Sequence, residues 1–537
     1  MCTFWVKSAL IVAMEGFSYS YGAGETLYIV DVFGLLSFLD CRSPLQLLPS
    51  LPLLLSEFQR TVPIHLHLHT NMPSNTSTVA ELASGIEKTS LSTSRKPHLV
   101  FAAAPADGHT NPLARIAAEL VRREFKVTFI GGAQFENLIK GTGAEFVPLA
   151  PMFNPKMEAE RNAVPAGIPR LLYDMKYIFI GQTPERWRIL KEVLEGIRAK
   201  DPEREVVVVP ETFFMGVNPL SLGAPLPKGY TTRPKVVNLH VVPYVATSID
   251  TGPGGPGLPP DSSESGRARN QLLNQMMVAG PFAESIAYQD EILKELGTTE
   301  LLEPQVPFHH WMLIHDVTLQ MCPPSLEYPR SDMPSNVKFA GCLTPKPIPA
   351  NFVYPTWWDD VKRGDRRIVA VTQGTIARDY TDLLIPTIQA LSDRDDLLVV
   401  AILGMKEASL PTDVVVPANT RVIDYLPYDV LLPHASVFVM NAGYGGFLHG
   451  VTNGVPLVLA GETEDKPEIA MRGQWSGVAV NLRTGRPSPE QVRAGVETIL
   501  GDDSFKRRVE EIKIENEAMK MFDVVERQIL TVGEVEA

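Results

Sequence analysis

The sequence predicts an α/β protein with two doubly wound domains that face each other across a cleft. Short apolar runs of the parallel-strand type, such as His98–Ala104, alternate with helical periods along most of the chain. The chain has 537 residues, more than one hydrophobic core normally contains. Proline accumulates in Val337–Pro355, as is typical of a connection between domains. We therefore expect one domain over residues 96–350 and a second over residues 351–537.

Residues 1–95 differ in character from the rest of the chain. They mix apolar fragments with stretches rich in Ser, Thr and Asn, which predicts an irregular extension whose order is in doubt. His65, His67 and His69 would share one face of a strand, as metal ligands can, but no fourth ligand or supporting carboxylate lies nearby. We favour a segment outside the fold over a metal site.

Composition and charge exclude several classes of protein. The formal net charge of −13 disfavours a protein that tracks nucleic-acid phosphates, because such proteins need a basic face. The four cysteines show no CxxC spacing, so neither a disulfide framework nor a zinc site is indicated. No apolar run reaches the roughly 18 residues of a membrane-spanning helix, and Ala9–Met14 is shorter than the core of a secretory signal. We expect a cytoplasmic monomer without a transmembrane segment and leave association with membrane surfaces open.

The first domain begins with a βαβ unit. A strand at His98–Ala104 leads into the breaker-rich turn Pro105–His109, a helix follows Pro112, and Lys126–Gly132 is the next strand. Thr251–Gly266 is rich in Gly, Pro and Ser, which predicts a flexible loop. The further strands and helices predicted here are Glu145–Leu149, Glu205–Val209, Val236–Val241, Pro184–Ala199 and Ala283–Leu296.

The second domain alternates strands and helices with little interruption, as in a parallel sheet covered on both faces. The predicted strands are Ile368–Thr372, Leu397–Leu403, Thr420–Ile423, Ser436–Met440, Pro456–Ala460 and Val478–Leu482. The predicted helices are Tyr380–Ser392, Tyr428–Pro433, Gly446–Thr452, Lys466–Gln474, Ser488–Leu500 and a long terminal helix, Ser504–Ile529.

The stretch Asn441–Lys466 carries the most specific pattern. A buried strand runs into a glycine-rich turn and a helix start, where free backbone N–H groups and the helix dipole can bind phosphate. Taken alone, such a turn is equally typical of a tight strand-to-helix connection. The residues that set the pattern are Asn441, Gly443, Gly445, Gly446, His449, Gly454-Val455-Pro456, Asp465 and Lys466.

This series resembles the donor-binding signature of the UDP-dependent glycosyltransferases of family 1, in the branch of fungal and bacterial sterol, macrolide and flavonoid enzymes. The resemblance covers roughly residues 96–530. It implies the GT-B fold, with two Rossmann-like domains across a cleft, and a UDP-sugar as co-substrate with no cofactor and no metal. By the same resemblance, Thr375 lies in a phosphate-touching turn, the Tyr425 ring stacks on uracil, and the backbone of Leu426 pairs with the base.

Four positions depart from the family pattern. Asn441 replaces a His at the diphosphate, His449 replaces a Glu that holds the ribose hydroxyls, and Tyr428 replaces a Gln. Asp465 of the sugar-contacting pair is retained, while Lys466 replaces a Gln. A UDP-hexose is the expected donor, and the positive charge of Lys466 keeps a uronic acid open. Equally, Lys466 is readable as a solvated charge at a helix start.

His109 is the candidate general base. Gly108-His109 and Pro112 match the family's G-H-x-x-P turn after the first strand, and imidazole has a pKa suited to taking a proton from an acceptor hydroxyl. A carboxylate should orient this His. Glu211, after the strand Glu205–Val209, is the candidate, with Asp107 as a rival; Glu211 is also readable as a helix cap.

The segment Met152–Gln182 is apolar and is predicted to be irregular. It lies where related enzymes build the acceptor pocket, although ordinary core packing would explain it equally well. The expected function is an inverting transfer of a hexose to a hydroxyl of an apolar small molecule: a polyketide, terpenoid, sterol or phenolic. A dinucleotide oxidoreductase is disfavoured, because neither domain has G-x-G-x-x-G after its first strand. A non-catalytic sugar-nucleotide-binding paralogue stays open as the alternative, given the altered contacts.

Overall fold

The structure, a computed structural model, describes residues 95–165, 167–374 and 379–532. Two parallel sheets organise these residues. The first has seven strands in the order β3-β2-β1-β4-β5-β6-β7, and the second has six in the order β10-β9-β8-β11-β12-β13. The predicted fold of two α/β halves, each with a parallel sheet, is thereby confirmed. The residues of the irregular extension, including His65, His67 and His69, lie outside the described ranges.

The first sheet and its helices occupy residues 98–339, which we call the first half of the chain; the second sheet and the elements around it form the second half. Its strands are β1 (His98–Ala102), β2 (Lys126–Gly132), β3 (Glu145–Leu149), β4 (Val206–Pro210), β5 (Lys235–His240), β6 (Val317–Gln320) and β7 (Val337–Phe339). Its helices are α1 (Asp107–Arg122), α2 (Glu136–Lys140), α3 (Pro155–Ala163), α4 (Ile168–Tyr173), α5 (Thr183–Lys200), α6 (Asn218–Ser221), α7 (Glu264–Ala279), α8 (Ala283–Glu295) and α9 (Pro307–Leu313).

The second sheet and its helices follow. Its strands are β8 (Arg367–Thr372), β9 (Leu397–Ile402), β10 (Thr420–Ile423), β11 (Ala435–Met440), β12 (Leu457–Leu459) and β13 (Ala479–Asn481). The helices are α10 (Trp358–Lys362), α11 (Leu384–Ala390), α12 (Tyr428–Leu431), α13 (Tyr444–Thr452), α14 (Lys466–Trp475), α15 (Pro489–Gly501), α16 (Asp503–Met519) and α17 (Met521–Thr531).

The central strands are apolar throughout because helices cover both faces of each sheet. In β4, all five residues are buried, and in β9 all six are. The alternate residues of β1 pack into different clusters: Leu99 and Phe101 face α1, while Val100 and Ala102 face α5. This two-sided burial explains why the strands were visible in the sequence as unbroken apolar runs.

The strand order reverses once in each sheet, between β1 and β4 and between β8 and β11. In open parallel sheets, ligands bind outside the carboxyl ends of the strands at such a reversal. His109 and Glu211 follow β1 and β4, while Gly374 and Asn441 follow β8 and β11. Both candidate clusters therefore lie where this topology favours a ligand site.

Several local predictions were wrong. Strands β6 and β7 were missed, and β7 lies inside the stretch assigned to an interdomain connection. Helix α1 begins at Asp107 and contains Pro112, so His109 lies in a first helical turn rather than before the helix. The predicted terminal helix is two helices, because Lys520 adopts a left-handed φ of 51°. After this break, Met521, Val525 and Ile529 pack into the core of the first half.

The segment Thr251–Gly266 is a loop for most of its length, but α7 begins within it at Glu264, with Ser263 as its N-cap. The loop is fixed to the second half of the chain: Gly255 N and Gly257 N each donate a hydrogen bond of 2.8 Å to Oε1 of Glu468. Its glycines allow this approach, because a Cβ at Gly257 would lie 2.5 Å from the carbonyl oxygen of Pro467.

Candidate active site

His109 and Glu211 form a hydrogen-bonded pair. His109 Nδ1 lies 2.9 Å from Glu211 Oε2, and the His109 side chain retains 18% exposure while that of Glu211 has none. The pairing of β1 with β4 brings these residues together, since Ala102 and Pro210 stand opposite each other just before them. Asp107 does not compete: it is exposed, and its carboxylate accepts a hydrogen bond from Asn111. The rival assignment of Asp107 as orienting carboxylate is therefore wrong.

The buried carboxylate of Glu211 is fully supported by hydrogen bonds. Its Oε1 accepts from the backbone N–H of Ala104 at 2.8 Å, and its Oε2 accepts from that of Phe213 at 2.9 Å. Burial raises the pKa of Glu211, but His109 and these two amides outweigh burial, so the pKa is lowered. Glu211 is thus held as an anion beside the imidazole.

His109 is correspondingly biased towards its charged form. Burial lowers the pKa of His109, but the charge and hydrogen bond of Glu211 outweigh burial, and the charge of Asp465 adds to them, so the pKa is raised. Asp465 belongs to the second half of the chain. The charge on a residue of the second half thus contributes to the pKa of His109 in the first half.

An aromatic cluster adjoins the pair. The ring of Phe213 lies 5.1 Å from that of His109, edge to face, and 4.9 to 6.2 Å from those of Phe179, Phe308 and Trp311. The backbone of Phe213 is fixed at both ends, because its N–H donates to Glu211 and its carbonyl accepts from Nη1 of the buried Arg186 at 2.8 Å. Sequence reasoning missed Phe213, Phe308 and Trp311, which no local pattern linked to His109.

The segment Met152–Gln182 contributes Phe179 to this aromatic cluster, which we call the apolar wall. The segment is not irregular as predicted. It contains α3 and α4, a π-helix at Asp174–Phe179 and a short 3-10 helix. π-Helical turns are rare and are often found at functional sites. Here the turn leaves Tyr177 43% exposed while Phe179 packs on Phe213.

The glycine-rich turn joins β11 to α13. Gly443 is the N-cap, and the helix begins at Tyr444, two residues earlier than predicted. Ala442 is buried with a left-handed φ of 59°, a strained conformation for a residue with a Cβ. A Cβ at Gly445 would meet nothing within 4 Å, so the turn leaves open space beside the first backbone N–H groups of the helix. Such a helix start suits an anion.

Asn441 and Tyr444 connect this turn to neighbouring elements. Asn441 Nδ2 donates to the carbonyl of Gln373 at 2.5 Å, which ties the ends of β8 and β11 together. Tyr444 accepts a hydrogen bond of 3.2 Å from Gln320 Nε2, which joins the turn to β6 of the first half. Thr375, the remaining candidate of the β8 turn, lies outside the described residues.

The candidates for the base and ribose lie beside this turn. Tyr425 is 47% exposed, whereas Leu426 is 3% exposed, so the Leu426 side chain is not available to a ligand. The Tyr428 ring lies 5.4 Å from that of His449. His449 Nδ1 lies 3.0 Å from Oδ1 of Asp429, a partner that the sequence did not indicate because the two residues are 20 positions apart.

Asp465 and Lys466 stand at the amino end of α14. Burial raises the pKa of Asp465. Lys466 Nζ bonds to Glu464 and, at 2.9 Å, to Thr463 Oγ1. The Lys466 side chain is 20% exposed, so it is an ion-paired residue rather than the freely solvated charge that the sequence left open. Glu464 has a left-handed φ of 52°, and sequence reasoning did not identify it as the partner of Lys466.

Two further observations concern the surroundings of the site. Among residues 95–165, 167–374 and 379–532, no group of three or more His, Cys, Asp and Glu side chains is arranged to hold a metal. A cavity of about 510 Å³ lies at the opposite, amino-terminal edge of the second sheet, among Val361, Arg366 and His434, far from the groups described above. Nor does the described part of the chain contain a helix with the length and apolar character of a membrane span.

Residues 386–529 match the family "Erythromycin biosynthesis protein CIII-like, C-terminal domain". Over 435 residues, the chain is 47% identical to UDP-glucosyltransferase 1 of Beauveria bassiana (strain ARSEF 2860), covering 80% of this chain and 94% of that protein. It is 36% identical to 4'-demethylrebeccamycin synthase of Lentzea aerocolonigenes, covering 76% and 93%. The fold is similar to that of the calicheamicin glycosyltransferase CalG4, with a TM-score of 0.60 at 18% identity over 82% of this chain and 100% of that one.

Proposed function

Since the chain belongs to the UDP-dependent glycosyltransferases of family 1, in the macrolide-type branch, we propose that it is an inverting hexosyltransferase that acts on a hydroxyl of an apolar small molecule. As a UDP-glycosyltransferase it is an enzyme, so the alternative of a non-catalytic paralogue is set aside. The observation that carries the proposal is the His109–Glu211 pair beside an apolar wall.

His109 is the proposed general base. Glu211 occupies Nδ1, so Nε2 is the ring nitrogen that takes the proton from the acceptor hydroxyl. As that proton leaves, the acceptor oxygen forms a bond to the anomeric carbon, and the bond from this carbon to the diphosphate breaks. The electron pair departs with UDP. Because this is a single displacement from the face opposite the leaving group, the configuration at the anomeric carbon inverts.

The second half of the chain is the proposed donor site. The start of α13, with Asn441, Gly443, Gly445 and Gly446, would receive the diphosphate, whose negative charge suits a helix amino end. Thr375 would touch the phosphates from the β8 turn. The assigned contacts to the rest of the donor are Tyr425 and Leu426 with the base, Tyr428 and His449 near the ribose, and Asp465 and Lys466 with the sugar.

We propose that the acceptor binds in the first half, against the apolar wall. Phe179, Phe213 and Phe308 are partly buried and line this wall beside His109. An acceptor of the polyketide, terpenoid, sterol or phenolic class would bury apolar surface there while its hydroxyl reaches His109.

The test is transfer from UDP-glucose to a panel of hydroxylated apolar acceptors, with products identified by mass spectrometry and the anomeric configuration read by NMR. A β-linked glucoside from the α-linked donor is expected. An α-linked product, or UDP release without any glycoside across the panel, would contradict the proposal. Assays with and without EDTA should give equal rates if the diphosphate needs no metal.

A further inference from the structure

A buried ion-pair network joins the two halves of the chain behind the candidate site. Arg472, on α14, bonds through Nε to Glu327 and through Nη1 to Glu468, each at 2.7 Å. Its Nη2 donates to the carbonyl of Tyr244, also at 2.7 Å. The side chains of Arg472 and Glu327 are 1% exposed and that of Glu468 is 6% exposed. All three nitrogens of this guanidinium therefore donate hydrogen bonds at the same time, as the planar fork of arginine allows.

Two of the three partners of Arg472, Glu327 and Tyr244, come from the first half of the chain, whereas Glu468 lies one turn earlier on α14 itself. Glu327 follows β6, and its second oxygen accepts from the backbone N–H of Tyr244 at 2.9 Å. Glu468 extends the network further. Its Oε1, which does not contact Arg472, accepts hydrogen bonds from the backbone N–H groups of Gly255 and Gly257 in the loop Thr251–Gly266, called the glycine loop below. One helix thus carries contacts to three places in the first half: Tyr244, the loop at Gly255 and Gly257, and Glu327.

The same helix holds Asp465 at its amino end. Its other face is fixed in the second half, where Ile469 and Ala470 are fully buried in the core. Helix α14 is consequently held on both sides, by apolar packing on one and by the ion pairs of Arg472 on the other. Any shift of the helix relative to the first half would move Asp465 relative to His109, which belongs to that half.

We propose that Arg472 is a positioning residue, which by fixing α14 to Glu327, Tyr244 and the glycine loop sets where Asp465 stands relative to His109. The inference rests on the proposed roles of His109 and Asp465 in transfer. A cation buried only for stability would be an inefficient device, since well-packed apolar side chains often serve as well or better. Fixing the position of α14 relative to the first half is a role that apolar side chains would not fill with the same directional precision.

The pKa of His109 reports the position of Asp465. The charged and titratable groups that act on or with His109 are Glu211 after β4, Arg186 on α5, His240 on β5 and Asp465 before α14. Only Asp465 belongs to the second half. Because its negative charge raises the pKa of His109, displacement of α14 should lower that pKa, whereas loss of stability alone would leave it unchanged in the folded protein.

The experiment is an NMR titration of ¹³C-labelled histidine in the full chain, with the His109 signal identified from H109A. Asp465→Asn sets the size of the effect. Arg472→Met should lower the pKa of His109 by no more than D465N does, and the double variant R472M/D465N should have the same His109 pKa as D465N alone. Arg123→Met is the matched control, because it removes two ion pairs to α17, with Asp523 and Glu526, at the end of α1 remote from His109.

An unchanged His109 pKa in R472M, alongside a lowered one in D465N, would overturn the proposal and leave Arg472 a purely structural role. Should R472M fail to fold, Glu468→Gln provides the same test, since it weakens the tie to Arg472 and the loop but keeps the Arg472–Glu327 pair. The titration needs no turnover. A lowered pKa in a protein that makes no glycoside would therefore refute the proposed function and still support the positioning role.

Discussion

Glu211 Oε2 lies 2.9 Å from His109 Nδ1, although the two residues are 102 positions apart in the chain. Adjacent parallel strands end side by side, and this brings a helix-start histidine next to a buried carboxylate. The carboxylate fixes the ring and stabilises its positive charge, and in the proposed mechanism the second ring nitrogen takes the proton of the acceptor. Because Glu211 orients the ring and His109 is the proposed base, replacing each residue should have a different effect.

Replacement of His109 by Ala should lower the transfer rate by about 10²- to 10⁴-fold, the usual contribution of a general base. UDP binding, measured by calorimetry, should stay within about twofold of the unmodified protein, because the donor candidates lie in the other half. His434→Ala is the control, since His434 is exposed at the opposite edge of the second sheet. Transfer at an undiminished rate in H109A would remove His109 from the mechanism.

Replacement of Glu211 by Gln should shift the pH dependence as well as the rate. Glu211 raises the pKa of His109, so its neutralisation should move the acid limb of the kcat/KM profile to lower pH. The base is then free of its proton at lower pH but is poorly oriented, so the plateau rate should fall by at least about tenfold. Initial rates from pH 5 to 9 measure both effects. An acid limb displaced to higher pH would contradict the assignment.

Glu464 should govern the choice between neutral and acidic sugars. It pairs with Lys466, and this pairing satisfies a positive charge that could otherwise meet a sugar carboxylate. In Glu464→Gln, the use of UDP-glucuronate relative to UDP-glucose should rise by about two- to fivefold, the size of a partly exposed ion pair. Competition assays with both donors give the ratio directly. Glu462→Gln, at an exposed acid of the same loop, should leave the ratio unchanged.

Ala442 should respond unusually to substitution because of its left-handed backbone. Ala442→Gly relieves strain but loses chain entropy, so the free energy of unfolding should change by less than about 1 kcal/mol. Ala442→Val should cost about 2 kcal/mol or more, since a β-branched side chain fits neither the backbone nor the buried site. Urea denaturation measures both.

Ala435→Gly provides the comparison for Ala442, because Ala435 begins β11, the strand that leads into this turn, with an ordinary φ of −82°. There, glycine should lower the free energy of unfolding by about 0.5–1 kcal/mol. Equal losses at Ala435 and Ala442 would show that the left-handed backbone of the turn stores no strain.

Most strands of both sheets were predictable, but the short strands β6 and β7 were not. Buried parallel strands are usually apolar runs, whereas polar residues interrupt β6 at Thr318 and Gln320 and β7 at Lys338. The break at Lys520 was equally invisible, because a single left-handed residue inside a good helical period carries no compositional signal. The predicted loop Thr251–Gly266 was located correctly, apart from its last residues, but its contact with Glu468 depends on a helix some 200 positions away.

The sequence by itself determined the alternation of strands and helices, the glycine turn before α13, and the histidine after the first strand. These features are local and periodic, and they depend only on neighbouring residues. The tertiary structure alone decided that Glu211, and not Asp107, faces His109, that Asp429 holds His449, and that Glu464 pairs with Lys466. The first two choices follow from which elements become neighbours in space. The third joins residues two positions apart, and it accompanies a left-handed φ of 52° at Glu464 that no pattern in the sequence indicates.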